Sequence, residues 1–303
     1  TVRIRKRGNE SPVGSLSEFL QRMAGNPVTD FPDSKQPKEK GKKKMKKILT
    51  IAGSDPSGGA GIQADLKTIT VYGMYGMSAI TALTVQNTTG VFSVTEMSPD
   101  FVAQQIDCIF EDIRPDAVKI GMVSNAEIIR VIADRLSYHR AENIVADPVM
   151  IATSGGRLMQ DSAQEALIKS LLPLARIITP NIPEAEVLSG KKISCSEDMR
   201  KAAEIIAESL NGDILVKGGH LTESADDLLF SSGAVHWFRA PHIDNKNTHG
   251  TGCTLSSAIA CGLAEGRSTQ DSVIRAKEFI TGAIACGLDL GSGCGPLNHM
   301  YRL

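Results

Sequence analysis

Short runs of aliphatic residues alternate with longer amphipathic segments from Lys46 to the end of the chain. Ile144–Ala146, Ile177–Thr179 and Ile214–Val216 are runs of this kind, and none contains a charged residue. A strand without a polar face is buried on both sides, as in parallel sheets that helices cover on both faces. The pattern therefore predicts an α/β fold in which a mostly parallel sheet lies between two layers of helices.

The same periodicities predict the other elements. Further strands are expected at Ile48–Ala52, Ser78–Val85 and Ala117–Ile120, with a hairpin of Leu228–Phe230 and Val235–Phe238 around Gly233. Helices are expected at Ile62–Tyr72, Pro99–Ile113, Asn125–His139, Ser162–Leu172, Ser196–Leu210, Cys253–Glu265 and Thr269–Leu288.

Residues 1–44 differ from the rest of the chain. They carry 11 of the 33 Lys and Arg residues but only 5 of the 34 Asp and Glu residues, and they offer little apolar surface. We expect 1–44 to be a basic, disordered extension and 45–303 to form the folded domain. Because Met45 reads like a natural start, the sequence leaves open whether the extension is native.

The remaining composition excludes several classes of protein. No stretch of about 18 apolar residues occurs, so no membrane contact is predicted. Residues 45–303 are net acidic, which argues against nucleic acid as a partner. The six cysteines form no C-x-x-C pair, so we expect no zinc site and a reduced, cytoplasmic protein.

The segment Gly53–Gly61 follows the first predicted strand and contains four glycines. A tight turn is one interpretation, but so many glycines also let the backbone approach a ligand closely. Their spacing matches neither the P-loop nor the dinucleotide fingerprint. Asp65, one helical turn further on, is expected to point back into a site at this loop.

The segment Asn247–Cys253 contains a Gly-Thr-Gly turn that leads directly into an apolar helix. The alternative is an ordinary capping turn with Thr251 as the cap. The first turn of a helix, however, presents unpaired N–H groups and the positive end of the helix dipole, an arrangement that binds phosphate or a developing anion. Cys253 lies in that turn, where the pKa of a thiol is usually lowered.

Polar residues follow three other predicted strands, at Asp147, at Asn181 with Glu184, and at Lys217. Helix initiation explains Glu184 equally well, and a surface turn explains Lys217. In an open α/β sheet, however, ligands bind at the carboxyl ends of the strands, where all of these residues would meet. The two carboxylates are then candidates to hold a hydrated Mg²⁺, and Lys217 is a candidate to bind ATP phosphates.

Taken together, these segments resemble one known family over residues 45–303. The resemblance rests on Ala52–Asp65, Ile80–Thr88, Lys119–Met122, Asp147–Met150, Thr179–Ala185, Lys217–His220 and Asn247–Cys253. The chain is similar to the hydroxymethylpyrimidine/phosphomethylpyrimidine kinases of thiamine biosynthesis, in the ribokinase-like superfamily. The resemblance implies a ribokinase-like three-layer α/β/α fold, a homodimer, and the cofactors ATP and Mg²⁺, and it leaves a monovalent cation open.

The implied reaction has two ATP-dependent steps on a small pyrimidine. The hydroxymethyl group of 4-amino-5-hydroxymethyl-2-methylpyrimidine is phosphorylated first, and the monophosphate then becomes the pyrophosphate. The resemblance assigns the pyrimidine to Gly53, Ala60, Asp65, Gln86, Met122 and Val149, and the Mg-ATP side to Asp147, Asn181, Glu184, Lys217, Thr248 and His249. It also likens Thr153–Gly156 to a mobile flap.

The catalytic turn implied is Gly250, Thr251, Gly252 and Cys253. Cys253 would either accept the hydroxyl proton as a thiolate or simply shape the anion site. If it is the base, its replacement should slow the first step more than the second. A pyridoxal kinase on the same fold is the main alternative, and a catalytically silent ligand sensor is another.

Overall fold

Strand β1 (Lys47–Ser54) pairs in parallel with a strand on each side and so lies inside the sheet. The structure, a computed structural model, describes residues 44–150, 159–219, 226–240 and 243–303. Met45–Leu303 forms one compact unit. The predicted extension lies, except for Lys44, outside the described residues, and so does the predicted flap at Thr153–Gly156.

The sheet follows the spatial order β3-β2-β1-β4-β5-β6-β7-β8-β9. Its other strands are β2 (Tyr75–Asn87), β3 (Gly90–Glu96), β4 (Ala117–Ile120), β5 (Ile144–Ala146), β6 (Ile177–Ile178), β7 (Asp213–Val216), β8 (Asp227–Ser231) and β9 (Ala234–Phe238). The six strands β2, β1, β4, β5, β6 and β7, which are neighbours in this order, pair in parallel. Strands β3, β8 and β9 pair antiparallel to their neighbours. The predicted mostly parallel sheet is confirmed.

Helices cover both faces of this sheet. They are α1 (Gly61–Val71), α2 (Pro99–Asp112), α3 (Ala126–Tyr138), α4 (Asp161–Ala166), α5 (Ile182–Ser189), α6 (Ser196–Ser209), α7 (Thr251–Ala264) and α8 (Thr269–Ala285). Successive strand residues face opposite sides. Leu49 and Ile51 accordingly join the core beneath α2–α6, while Ile48 joins the core beneath α1, α7 and α8. The predicted three-layer fold is confirmed.

Two parts of the sequence prediction need correction. Strand β3 was not predicted, and it is an edge strand whose side chains are largely exposed, so it lacks a buried apolar pattern. The helix predicted at Ser162–Leu172 is regular only as far as Ala166 and continues as a π turn, Leu167–Leu171, and a short 3₁₀ turn, Leu172–Leu174. Pro173 contributes to the change because it has no N–H for an α-helical hydrogen bond. None of the helices in the described part of the chain has the length and apolar character that a bilayer span requires.

His299 fixes the segment after α8 to the first turn of α7. It is buried, and its Nε2 lies 2.9 Å from the hydroxyl of Thr254. Burial, reinforced by the charge of Lys67 and opposed by a backbone hydrogen bond at Leu297, lowers the pKa of His299 to about 4. The imidazole is therefore neutral in the folded protein at neutral pH.

This shift predicts an acid-sensitive contribution to stability. An unfolded histidine titrates near pH 6.5. The folded pKa is lower, so the unfolded chain binds more protons between about pH 6.5 and 4, and stability falls as the pH falls through this window. His299→Gln should flatten the dependence of the unfolding free energy on pH there, by at most about 3 kcal/mol. Chemical denaturation of both proteins at several pH values measures this, and parallel curves would contradict it.

Candidate active site

A buried ion pair lies beneath the carboxyl edge of the sheet. Lys119 of β4 donates to Asp65 of α1 over 2.8 Å, and neither side chain has any exposed surface. The hydroxyls of Thr50 on β1 and Ser257 on α7 also donate to the carboxylate, at 2.6 and 2.8 Å. Burial alone would lower the pKa of Lys119, but the charge and hydrogen bond of Asp65, together with the nearby Cys253 and Asp147, outweigh burial and raise that pKa. The carboxylate of Asp65 thus joins four elements, namely α1, β1, β4 and α7.

Two glycine turns meet directly above this pair. Gly250 caps α7 with a φ of 85°, a left-handed conformation that favours glycine. A Cβ at Gly250 would overlap the carbonyl oxygen of Gly59, and a Cβ at Gly59 would overlap the ring of His249. The loop after β1 and the turn before α7, both predicted as ligand loops, therefore pack backbone against backbone.

The first turn of α7 faces a carboxylate and an ammonium group. Lys217 donates to Asp147 over 2.7 Å, and Thr179 donates to the same oxygen over 2.9 Å. A Cβ added at Gly252 would lie 3.1 Å from Asp147 Oδ2 and 3.3 Å from Lys217 Nζ. Gly252 thus leaves a narrow space between the helix N-terminus and this ion pair, and its backbone can approach a ligand there.

Glu184 and Asn181 form a capping box at the start of α5. Asn181 accepts from the Glu184 N–H, and the Glu184 carboxylate accepts from the N–H groups of Asn181 at 2.9 Å and Met150 at 3.3 Å. Burial raises the pKa of Glu184 to about 7, with Lys217 opposing and Asp147 adding to the shift. Glu184 thus has the ordinary role of helix initiation through the capping box. Its side chain also places a second carboxyl group near Asp147.

Cys253 is half-buried in the first turn of α7. Burial raises the pKa of its thiol to about 11; Lys119 and a hydrogen bond at Gly61 act against the shift, and Asp65 and Asp147 add to it. The predicted lowering of this pKa is therefore wrong. The helix N-terminus does favour a thiolate, but loss of hydration and two nearby carboxylates outweigh it.

A second cluster of polar side chains joins the two glycine turns at the rim. His249 Nε2 lies 2.8 Å from Asp55 Oδ2 and 3.3 Å from the amide nitrogen of Gln86. Asp55 is almost fully buried and also accepts from the N–H and hydroxyl of Ser57 and from the N–H of Ala60. Gln86 on β2 is thereby connected to the turn before α7.

The other predicted residues lie around these two clusters. A Cβ at Gly53 would lie 2.7 Å from the terminal methyl of Met122, so these two residues are in contact. Val149 is half-buried after β5, and its N–H donates to the Asp147 carbonyl over 2.8 Å. The carbonyl of Thr248 accepts from the hydroxyl of Thr251 over 2.7 Å, which secures the glycine turn.

The structure gives two of the predicted residues contacts within the protein that the sequence did not suggest. Asp65, predicted on the pyrimidine side, has a fully buried carboxylate that accepts from Lys119, Thr50 and Ser257. His249 was expected on the ATP side, whereas its ring lies with Gln86 of the predicted pyrimidine side.

Two residues of the site were not predicted to have a role, namely Lys119 and Asp55. A lysine inside the apolar run Ala117–Ile120 was a signal that could have identified Lys119, because a buried lysine requires a partner. For Asp55 the only local signal is a turn residue followed by Pro56 and Ser57. Its histidine partner lies 194 positions away.

Comparison with known proteins identifies close relatives. The model of the phosphomethylpyrimidine kinase family matches residues 55–298. A hydroxymethylpyrimidine/phosphomethylpyrimidine kinase of Streptomyces coelicolor is 46% identical over 256 residues, covering 84% of this chain and 95% of that protein. A bifunctional thiamine biosynthesis protein of Geobacter sulfurreducens is 50% identical over 254 residues. The match covers 84% of this chain and 52% of that protein, so the chain spans about half the length of this relative.

Solved structures give the same fold. A phosphomethylpyrimidine kinase from Clostridium difficile superimposes with a TM-score of 0.72 at 48% identity, covering 79% of this chain and 99% of that chain. An ADP complex of a Bacillus subtilis pyridoxal kinase superimposes with a TM-score of 0.79 at 37% identity, covering 85% and 98%.

The contact between Gly250 and Gly59 predicts a selective loss of activity. Gly250 and Gly266 flank α7 with φ values of 85° and 82°, but only a Cβ at Gly250 meets other atoms within 4 Å. Both alanine variants should lose about 1–2 kcal/mol of stability from the left-handed backbone. Gly250→Ala should in addition lower kcat about 100-fold, because it displaces the anion turn. Steady-state kinetics decide this, and equal activity of the two variants would contradict it.

The buried ion pair predicts an asymmetric mutant cycle. Lys119→Met leaves the Asp65 charge buried without its cation and should cost about 3–5 kcal/mol of unfolding free energy. The double variant Asp65→Asn, Lys119→Met removes both charges and should be more stable than the Lys119→Met single variant. Urea denaturation measures both, and a double variant no more stable than the single one would overturn this account.

Proposed function

The chain belongs to the phosphomethylpyrimidine kinase family, and we propose that the cluster around the N-terminus of α7 phosphorylates 4-amino-5-hydroxymethyl-2-methylpyrimidine and then its monophosphate. The chain is a kinase of thiamine biosynthesis. The observation that supports the location is the meeting of the Gly250–Cys253 turn, the Asp147–Lys217 pair and Gln86 at one edge of the sheet.

The chemistry of the reaction suits this cluster. Phosphoryl transfer depends mainly on positioning and on stabilising charge at the transferring group. The N–H groups of Gly250, Gly252 and Cys253 lie at the positive end of the α7 dipole, so we assign them to the phosphoryl oxygens, whereas the N–H of Thr251 donates to the Thr248 carbonyl over 3.2 Å and holds the turn. Burial opposes the charge of Lys217, but Asp147 and Glu184 together outweigh it and raise the pKa, so Lys217 stays cationic and would bind the phosphates of ATP.

The nucleotide side would be completed by Asn181 and Thr248. Asn181 bridges to Lys217 through the backbone, so a group held by Lys217 lies close to the start of α5. The oxygen of the Asn181 side chain is occupied by the cap, which leaves its N–H₂ group as the donor for ATP. Thr248 precedes the anion turn and secures it through Thr251.

Asp147 and Glu184 fit a magnesium ion that is held through water. Both Glu184 oxygens accept backbone N–H groups and one Asp147 oxygen accepts from Lys217, so few lone pairs remain for direct coordination. Within the described residues no cluster of three or more His, Cys, Asp or Glu side chains could hold a metal ion. Mg²⁺ usually keeps several waters and binds through one or two carboxylates together with phosphates. When bound, the ion would neutralise the charge of the phosphates.

On the acceptor side, Gln86 would bind the pyrimidine, with Gly53, Ala60, Met122 and Val149 lining the ring. An amide offers both a donor and an acceptor, which matches the amino group and ring nitrogen of an aminopyrimidine. In the second step the nucleophile is an already ionised phosphate, so that step needs no strong base.

We also propose a homodimer that works in the cytoplasm. Apolar side chains are exposed on both faces of the β2–β3 hairpin, Leu83 and Val85 on one face and Val94, which pairs with Thr84, on the other, and a second copy of the chain would cover such side chains. All six cysteines lie in described residues and are unpaired, which is typical of a reducing compartment. A monovalent cation is an additional possibility that an activity assay with and without K⁺ would test.

The function is tested by ADP release with Mg-ATP and three acceptors in parallel. The hydroxymethylpyrimidine and its monophosphate should both turn over faster than pyridoxal. Pyridoxal belongs in the panel because pyridoxal kinases superimpose with TM-scores up to 0.79. A preference for pyridoxal would retain the ATP site and overturn the assignment of Gln86 to an aminopyrimidine.

Cys253 gives a prediction that separates two roles. The raised pKa leaves the thiol neutral, so we propose that it shapes the anion site and does not act as a base. Cys253→Ala should then slow both phosphorylation steps by similar factors of about ten or less. Loss of a general base would instead slow the first step about 10²–10⁴-fold and spare the second. Measuring the two steps separately, with Cys261→Ala on the same helix as the control, distinguishes the two.

A further inference from the structure

Asp55 anchors a chain of hydrogen bonds that ends at the predicted pyrimidine contact. His249 Nε2 lies 2.8 Å from the Asp55 carboxylate and 3.3 Å from the amide nitrogen of Gln86. The amide oxygen of Gln86 lies 3.3 Å from the hydroxyl of Thr84, which also lies 2.9 Å from the Ser54 carbonyl. The chain therefore connects the loop after β1, the turn before α7 and strand β2.

Counting protons along this chain reveals two conflicts. A carbonyl only accepts, so the Thr84 hydroxyl must donate its single proton to Ser54 and cannot also donate to the Gln86 oxygen. A carboxylate also only accepts, so His249 Nε2 must carry a proton for Asp55 and cannot also accept from the Gln86 nitrogen.

Turning the Gln86 amide by about 180° about its terminal bond resolves both conflicts. The Gln86 side-chain oxygen then accepts from His249 Nε2–H, which is shared with Asp55 in a three-centre hydrogen bond. The Gln86 N–H₂ group donates to the Thr84 hydroxyl. We propose that Asp55 is a positioning residue whose carboxylate fixes the direction of the chain from His249 through Gln86 and Thr84 to the Ser54 carbonyl. Asp55 thereby determines that the oxygen of the Gln86 amide faces His249 and that the N–H₂ group faces Thr84.

The surroundings of Asp55 keep the carboxylate ionised. Its burial would raise the pKa, but hydrogen bonds from His249, Ser57 and Ala60 outweigh this effect and hold the pKa well below its usual range. The charge of the Asp55 carboxylate therefore persists across the physiological pH range.

A fixed amide orientation has a consequence for specificity, which rests on the proposed contact between Gln86 and the pyrimidine. The chain uses one lone pair and one N–H of the amide, and it leaves one of each for a ligand. A 4-aminopyrimidine edge presents an amino donor beside a ring-nitrogen acceptor. The deaminated 4-oxo analogue presents the reverse order, a carbonyl acceptor beside a ring N–H donor. Only one of the two edges pairs with an amide that cannot turn.

The first test measures the proton on His249 in the wild-type protein and needs no kinetics. Long-range ¹H–¹⁵N NMR of the full chain, with the His249 signals assigned from a His249→Asn spectrum, should show a protonated Nε2. A neutral ring protonated only at Nδ1 would overturn the proposal, whatever the substrate proves to be.

The second test measures discrimination between the two pyrimidine edges. The wild type should prefer the 4-amino substrate over its 4-oxo analogue about 100-fold or more in kcat/KM, because the wrong edge leaves buried polar groups unpaired. Asp55→Asn frees the amide to turn, so this ratio should fall at least about tenfold, mainly through KM. An unchanged ratio in folded Asp55→Asn would overturn the proposal.

Two control variants isolate the effect. Asp107→Asn removes the carboxylate from a second Asp–His pair, Asp107 with His139 at 2.7 Å, which lies outside the site and whose carboxylate is more exposed than that of Asp55. Ser57→Ala removes a loop contact to Asp55 and leaves the charge beside His249. Both should keep the wild-type ratio, and a tenfold fall in either would assign the effect to the loop or to general destabilisation.

A Gln86→Ala background separates this inference from the proposed function. If Asp55 acts through Gln86, adding Asp55→Asn to Gln86→Ala should leave the ratio unchanged. If Gln86→Ala alone keeps the wild-type ratio, the proposed contact with the pyrimidine is wrong and the specificity role of Asp55 falls with it. The NMR measurement would still decide the direction of the hydrogen-bond chain.

Discussion

The ion pair between Lys119 and Asp65 is the interaction on which the site depends. Both side chains are fully buried, and each of the four elements that meet at the site contributes one partner: β1, β4, α1 and α7. A buried charge pair adds little net stability compared with apolar packing, but an unmatched charge is costly. Any arrangement that separates these elements therefore leaves a buried charge without its partner. This cost favours the arrangement in which the two glycine turns meet.

That constraint explains how the chain can build the proposed anion site with few side chains. With α7 held in place, Gly250 and Gly59 bring two backbones into contact, and Gly252 keeps open the space beside Asp147 and Lys217. Burial then keeps the Cys253 thiol protonated. The donors at this edge are backbone N–H groups and a paired lysine, which suits a reaction that requires positioning and charge stabilisation more than covalent help from the protein.

Much of the fold could be predicted from local patterns. The predictions failed where the structure or charge state of a residue depends on contacts with residues distant in sequence. The bounds of Ala117–Ile120 and Ile144–Ala146 agree with the structure because strands buried on both faces have a simple signature. The exposed edge strand Gly90–Glu96 has no such signature.

Within the site, the glycine turns and the polar residues after the strands were predictable, because parallel strands align their carboxyl ends. The charge state of Cys253 depends on burial by elements distant in sequence. The partnership of Asp55 with His249 likewise joins positions 194 residues apart, and spacing in the sequence cannot encode it.

We propose that the first turn of α7 receives the transferring phosphoryl group while Gln86 holds the acceptor ring. A crystal structure with the hydroxymethylpyrimidine and a non-hydrolysable ATP analogue tests this most directly. We expect the terminal phosphate within hydrogen-bond distance of the N–H groups of Gly252 and Cys253, and the amino edge of the ring against Gln86. A terminal phosphate bound away from this turn, or a ring bound away from Gln86, would contradict it.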